Sequence, residues 1–119
     1  MSIDPARILV LGQENARLFA LCGYLTFRGF QVDRAFGVEE ASALLRSLHY
    51  RSVIARLHEW TEANDCLELL REVKQRAFVH TVVLLDTPTG PVTNIDSVFG
   101  AEQSIALIAR SICQSLTTA

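Results

Sequence analysis

Ser52-Val-Ile-Ala-Arg-Leu-His58 is an apolar run with β-branched members, interrupted only near its end by Arg56. A segment apolar at consecutive positions, not alternate ones, suits a strand covered on both faces, as inner strands of a parallel sheet are. It reads as the third and central strand of a small α/β domain. In such sheets reactive and binding groups gather at the carboxyl ends of the strands. At this tip the sequence offers Arg56 or His58, a cation where a reactive carboxylate could have stood.

Outward from that stretch, two similar runs read as buried strands: Arg7-Ile-Leu-Val-Leu11 and Thr81-Val-Val-Leu-Leu85. Phe30 to Ala35 alternates and suits a strand nearer the edge, and Ile95 to Phe99 supplies a short fifth. Between the strands the spacing turns helical. Asn15 can cap a first helix in which Leu18, Phe19, Cys22, Leu25 and Phe27 recur, and Gly29 stops it. Gly37 and Val38 lead into a second with Ala41, Leu44, Leu45 and Leu48 inside. Glu39 and Glu40 sit in its first turn, where the helix dipole favours negative charge. A polar loop holding Trp60 precedes a third helix, Cys66 to Gln75, with Asn64-Asp65 as its cap and Leu67, Leu69, Leu70 and Val73 facing in. The last helix, Glu102 to Leu116, carries a stripe of Ile105, Ile108, Ala109 and Ile112. Asp86 to Asn94 holds two prolines and a glycine and reads as an irregular loop. Strands alternating with helices imply right-handed crossovers and a parallel sheet covered on both sides. The expectation is one doubly wound, flavodoxin-like domain over residues 1–119, with five strands and four helices.

Composition narrows the function. With 119 residues, half of them hydrophobic and 20% charged, the chain has the make-up of an ordinary globular domain. A formal charge of −2 with scattered basic residues gives no electrostatic reason to bind nucleic acid or an anionic membrane. No apolar stretch approaches a membrane span. Three cysteines, odd in number and far apart, argue against a disulfide framework and fit a reducing cytoplasm.

The opening Arg7-Ile-Leu-Val-Leu11, the Arg28-Gly-Phe30 before the second strand, the Asp65-Cys-Leu-Glu-Leu-Leu-Arg71 stretch and the order of elements resemble the receiver domain of bacterial two-component response regulators. The resemblance spans about Arg7 to Leu116 and implies strand order 2-1-3-4-5. It also implies chemistry whose residues are not here. The family's acid pair, which holds Mg²⁺ through hard oxygen ligands, aligns with Gly12-Gln13. Its phospho-acceptor Asp aligns with Arg56 by strand register, or with His58 if the spacing to the third helix is followed; strand register favours Arg56. Its Ser or Thr aligns with Asp86, with Thr87 alongside, and its Lys falls at Phe99 or Gly100. The family's fourth helix is replaced by the Pro88 to Asn94 loop. An aspartyl phosphate needs a carboxylate nucleophile, so the resemblance is to a degenerate receiver, a pseudo-receiver, with Gly12, Gln13, Arg56, Asp86 and Gly100 marking the altered site.

Several residues carry further expectations. Arg56 and Asp86, at the ends of neighbouring strands, are expected to pair and fill the old phosphate pocket. His58 and Glu59 with Glu14 or Asp86 form no ligand spacing typical of zinc, and no metal is expected. Cys22 and Cys113 fall on inner helix faces, where cysteine packs as a small apolar group. Cys66 starts a helix, where a thiolate would be favoured, although packing is the favoured explanation. His49 and His80 read as loop residues on the far side of the sheet. Gly12 stands without the Gly-x-Gly-x-x-Gly pattern of a dinucleotide site.

The favoured function is a signalling module acting by protein contact, without phosphorylation, catalysis or cofactor. Its partner, another protein or a second copy, would dock on the strand-four and strand-five side. Trp60, Val92, Ile95 and Phe99 are the candidate anchors. One rival is a receiver-like sensor of a small ligand or unusual phosphodonor, at a pocket of Glu14, Glu59 and Asp86. The other is a small flavodoxin-like enzyme or nucleotide binder. As part of a longer regulator or kinase, the domain would end naturally at Thr117-Thr-Ala119.

Overall fold

β3 (Ser52–Leu57) lies mid-sheet and hydrogen-bonds in parallel to β1 (Arg7–Leu11) on one side and to β4 (His80–Leu85) on the other. The computed structural model describes residues 6–57, 60–76, 79–86 and 94–117, with 60–64 and 76 described by backbone alone. β2 (Gln31–Ala35) pairs with the outer side of β1 and β5 (Ser97–Phe99) with that of β4, giving the all-parallel order β2-β1-β3-β4-β5. Four helices accompany the strands: α1 (Ala16–Phe27), α2 (Val38–Ser47), α3 (Trp60–Arg76) and α4 (Ile105–Thr117).

The alternation of side chains along each strand divides the core in two. Leu9, Leu11, Val53, Ala55, Leu57 and Val83 point to the side of α2 and α3. Ile8, Val10, Ile54, Val82 and Leu84 point to the side of α1 and α4. This is why β1, β3 and β4 read as unbroken apolar runs. In β3 only Arg56 departs from full burial.

Four helical expectations change. In α1 the buried row is Leu18, Leu21 and Leu25, whereas Phe19 and Phe27 face out, 68% and 88% exposed. At 100° per residue Phe19 and Phe27 lie a quarter turn and a half turn away from Leu18. In α2 the helix ends at Ser47. Leu48 is an extended, exposed cap, and the buried side chain beyond it is Tyr50, whose hydroxyl donates to Asp33 Oδ2 at 2.7 Å. α3 starts at Trp60, so Trp60 is in a helix and Asn64 and Asp65 lie inside it. A capping preference is a local effect of about 1 kcal/mol that a well-packed helix overrides. Leu67, Leu69, Leu70 and Val73 are buried as expected. α4 starts three residues late, at Ile105, because Ser104 caps it through Leu107 N at 3.2 Å. Three strands also differ: β2 starts one residue late, at Gln31, β5 shrinks to three residues, and β4 takes in His80, which is therefore no loop residue.

Candidate functional site

The carboxyl ends of β1, β3 and β4 converge on Arg56. Its Nε donates to Asp86 Oδ1 at 3.1 Å and its Nη2 pairs with Asp86 Oδ2, a two-toothed fork across neighbouring strands. Its Nη1 donates to the Gln13 carbonyl at 3.1 Å. The Asp86 backbone is fixed in turn, its N–H donating to Leu57 O at 3.1 Å. The two side chains are only 12% and 21% exposed, so the pair is shielded from most of the solvent. A planar guanidinium matches a carboxylate in this way better than an ammonium could.

Gly12 makes room for this arrangement. It has φ of +143°, a conformation that side chains disfavour. A Cβ there would sit 3.1 Å from Arg56 Cβ and 3.4 Å from Arg56 O. Any side chain at position 12 would meet both obstacles, so the close approach of the β1 and β3 ends at this point requires glycine.

The remaining acid near the first turn is engaged elsewhere. Glu14 Oε1 lies 3.8 Å from Arg34 Nη1. Arg34 also donates to Gly12 O at 3.2 Å and stacks 5.2 Å from the centre of the Phe36 ring. Glu14 and Asp86 thus face different arginines, and among the described residues no cluster of three metal-ligating side chains occurs. Arg34 and Phe36 were missed in the sequence; an arginine in an alternating edge strand gives no sign of reaching across the sheet end.

Beside Arg56 a cavity of about 540 Å³ opens between the ends of β1 and β3 and the start of α2. Its walls include Gly12, Phe36, Val38 and Arg56, with Glu39 and Asp65 supplying carboxylates. Such a lining suits an uncharged or amphipathic molecule better than a phosphate.

The other expected site residues disperse. Gly100 lies in the β5–α4 turn, its N–H donating to Gln103 Oε1 at 2.8 Å, and a Cβ there would strike the Glu102 carboxylate at 2.5 Å. Phe99 is half-buried against the α1/α4 core and Ile95 against the α2/α3 core, so they point to opposite faces. Val98, not singled out in the sequence, is the exposed member of β5 and shares the α3 face with its partner Val83. His58, Glu59, Val92, Thr87 and the side chain of Trp60 lie outside the described residues. Cys66 is the seventh residue of α3 and packs against the core, so the helix terminus does not activate it. Burial pushes the Cys22 thiol upward, with Arg34 opposing, which disfavours a thiolate.

At the opposite end of the sheet Lys74 and Thr81 converge on Asp96. Lys74 pairs with Oδ1, while Thr81 N and Oγ1 donate to Oδ2 at 2.8 and 3.0 Å. Burial would raise the Asp96 pKa, but these bonds outweigh it and hold the carboxyl below the usual range.

No family model and no curated protein matches the sequence. Solved structures do. An orphan response regulator of H. pylori superposes with a TM-score of 0.78 at 17% identity, over 95% of this chain and 98% of that one. The chain has the receiver-domain fold. A signal receiver domain of an HD domain-containing protein from Pseudomonas fluorescens gives 0.79 at 18% identity, over 98% and 90%. A response regulator receiver domain from Methylobacillus flagellatus gives 0.75 at 18%, over 94% and 98%. Among the described residues no helix is long and apolar enough to cross a membrane.

Proposed function

We propose that this chain is a pseudo-receiver, a signalling module of receiver fold that acts by binding protein and needs no phosphorylation. The observation that carries this reading is the Arg56–Asp86 fork, set against Gly12 at the strand ends where the family's chemistry needs carboxylates. A phosphoryl group entering there would meet no aspartate from β3, and Asp86 would repel it while holding the Arg56 guanidinium. The fork would hold the strand ends in one arrangement, without a switch. Exposed Val98 on the α3 face of β5 supports docking on the β4/β5 side, with Ile95 on the same face, whereas Phe99 turns to the α1/α4 core. Incubation with Mg²⁺ and acetyl phosphate, read by intact mass, tests the first half. An unmodified chain is expected; a gain of one phosphoryl group on an acid at the strand ends would contradict it.

The cavity beside Arg56 favours a second reading, a small-ligand sensor. Among the described residues its walls include Phe36, Val38, Glu39 and Asp65 and not the expected Glu14 or Asp86, while Glu59 lies outside the described residues.

A further inference from the structure

α1 is apolar on the wrong side as well as the right one. Leu18, Leu21 and Leu25 bury its inner face completely. On the outer side Ala16, Phe19, Ala20, Gly23, Tyr24 and Phe27 are all exposed, with Ala16, Gly23 and Phe27 nearest to opposite the buried row. The helix has one charged residue, Arg17, and that side chain leans toward α4, donating to Gln103 O at 2.7 Å. A helix on the surface of a domain ordinarily shows charged residues on its solvent face; this one shows two phenyl rings, 68% and 88% exposed.

The geometry points to this stripe as a two-fold interface between two copies of the chain, crossing at Gly23. Three features of the stripe favour a second copy as its occupant.

The first is shape. Phe19, Gly23 and Phe27 follow one another at intervals of four residues and so form a single ridge row on the helix surface. Phenyl rings stand one step to either side of a glycine, so a two-fold axis through Gly23 turns the row onto itself. Two such helices running antiparallel and crossing at their glycines, with their axes inclined by about 50°, set each Phe19 against the Phe27 of the other copy. Glycine lets the backbones approach at the crossing, and within its own chain it has no packing reason to be glycine. A Cβ there would meet nothing within 4 Å, and its φ lies outside the left-handed region. Glycine in a helix interior weakens the helix relative to alanine, so the position bears a cost that the isolated chain does not explain.

The second feature is charge. An isologous interface brings each group against its own kind, which charged patches resist. The stripe carries no ionisable group other than the Tyr24 phenol, so pairing with itself meets no repulsion, and it offers nothing to select a charged partner.

The third is area. The two rings expose on the order of 300 Å², and the whole stripe about 400 Å². A standard-size interface buries about 800 Å² per partner. The stripe supplies about half of that, which fits a weak, reversible dimer and not an obligate one. This surface is separate from the β4/β5 docking side and does not depend on it.

Sedimentation velocity of the full chain over a concentration series tests the assignment, with Phe19→Lys, Phe27→Glu and Gly23→Ala as variants. The parent should show a monomer–dimer equilibrium. Each charged variant should weaken it at least tenfold without lowering the melting temperature, since both rings are exposed. Because Phe19 of one copy faces Phe27 of the other, mixing Phe19→Lys with Phe27→Glu should restore a dimer that neither forms alone. Gly23→Ala should raise the melting temperature of the monomer yet weaken association. A parent that stays monomeric up to about 1 mM, as a stripe kept for a different protein would, overturns the proposal. So does a dimer that survives Phe27→Glu, or a mixture that stays monomeric.

Discussion

Arg56 and Asp86 fill one another's hydrogen-bonding capacity in a setting that excludes most water, which makes their worth asymmetric. Removing one partner strands a charge, whereas replacing both with apolar residues removes the desolvation penalty as well. Arg56→Ala should destabilise the fold by about 3 kcal/mol in urea unfolding, while Arg56→Leu with Asp86→Leu should recover most of that loss. Gly12→Asp should cost about 2 kcal/mol, because the side chain forces both a disfavoured φ and a clash with Arg56. His80 adds a pH dependence. Burial lowers its pKa from the ordinary 6.5. Just below that value the unfolded chain therefore takes up a proton that folded His80 refuses, and stability falls as pH falls. Unfolding midpoints measured on either side of pH 6.5 should show this slope, and His80→Gln should flatten it. Asp96, held below its ordinary 3.8, contributes its own loss only as pH falls below that value.

The elements differ in how much of them the sequence discloses. β1, β3 and β4 were legible because burial on both faces leaves an unbroken apolar run, and Ser52 to Leu57 kept its predicted bounds. Helix limits were less so. Cap chemistry at Asn64-Asp65 suggested a start that α3 ignores, and the reading of Cys66 as a terminal thiol fell with it. The apolar recurrence of Leu18, Phe19, Cys22, Leu25 and Phe27 does not by itself mark the buried face of α1, since helical phase puts Leu21 inside and turns Phe19 and Phe27 out. Mutation separates the two assignments. Leu21→Ala should cost about 3 kcal/mol, and Phe27→Ser should leave the unfolding midpoint unchanged or nearly so.

For the whole molecule, strand order and layer arrangement followed from alternating strands and helices, since crossover handedness leaves few topologies. The Arg56–Asp86 pair was legible as a contact between neighbouring strand ends. The network of Glu14, Arg34 and Phe36 was not, because it joins β2 to the turn after β1 and depends on side-chain reach that spacing does not encode. Val98 was overlooked for a related reason: in a three-residue edge strand, the exposed member is set by which face a helix leaves uncovered. The central claim is that the strand ends no longer take up a phosphoryl group. An amide-resolved NMR titration with Mg²⁺ followed by beryllofluoride, a mimic of the aspartyl phosphate, tests it most directly. The account predicts no shifts at Gly12, Arg56 and Asp86. Saturable shifts clustered at those residues would mean that the pocket still works as a receiver and would contradict it.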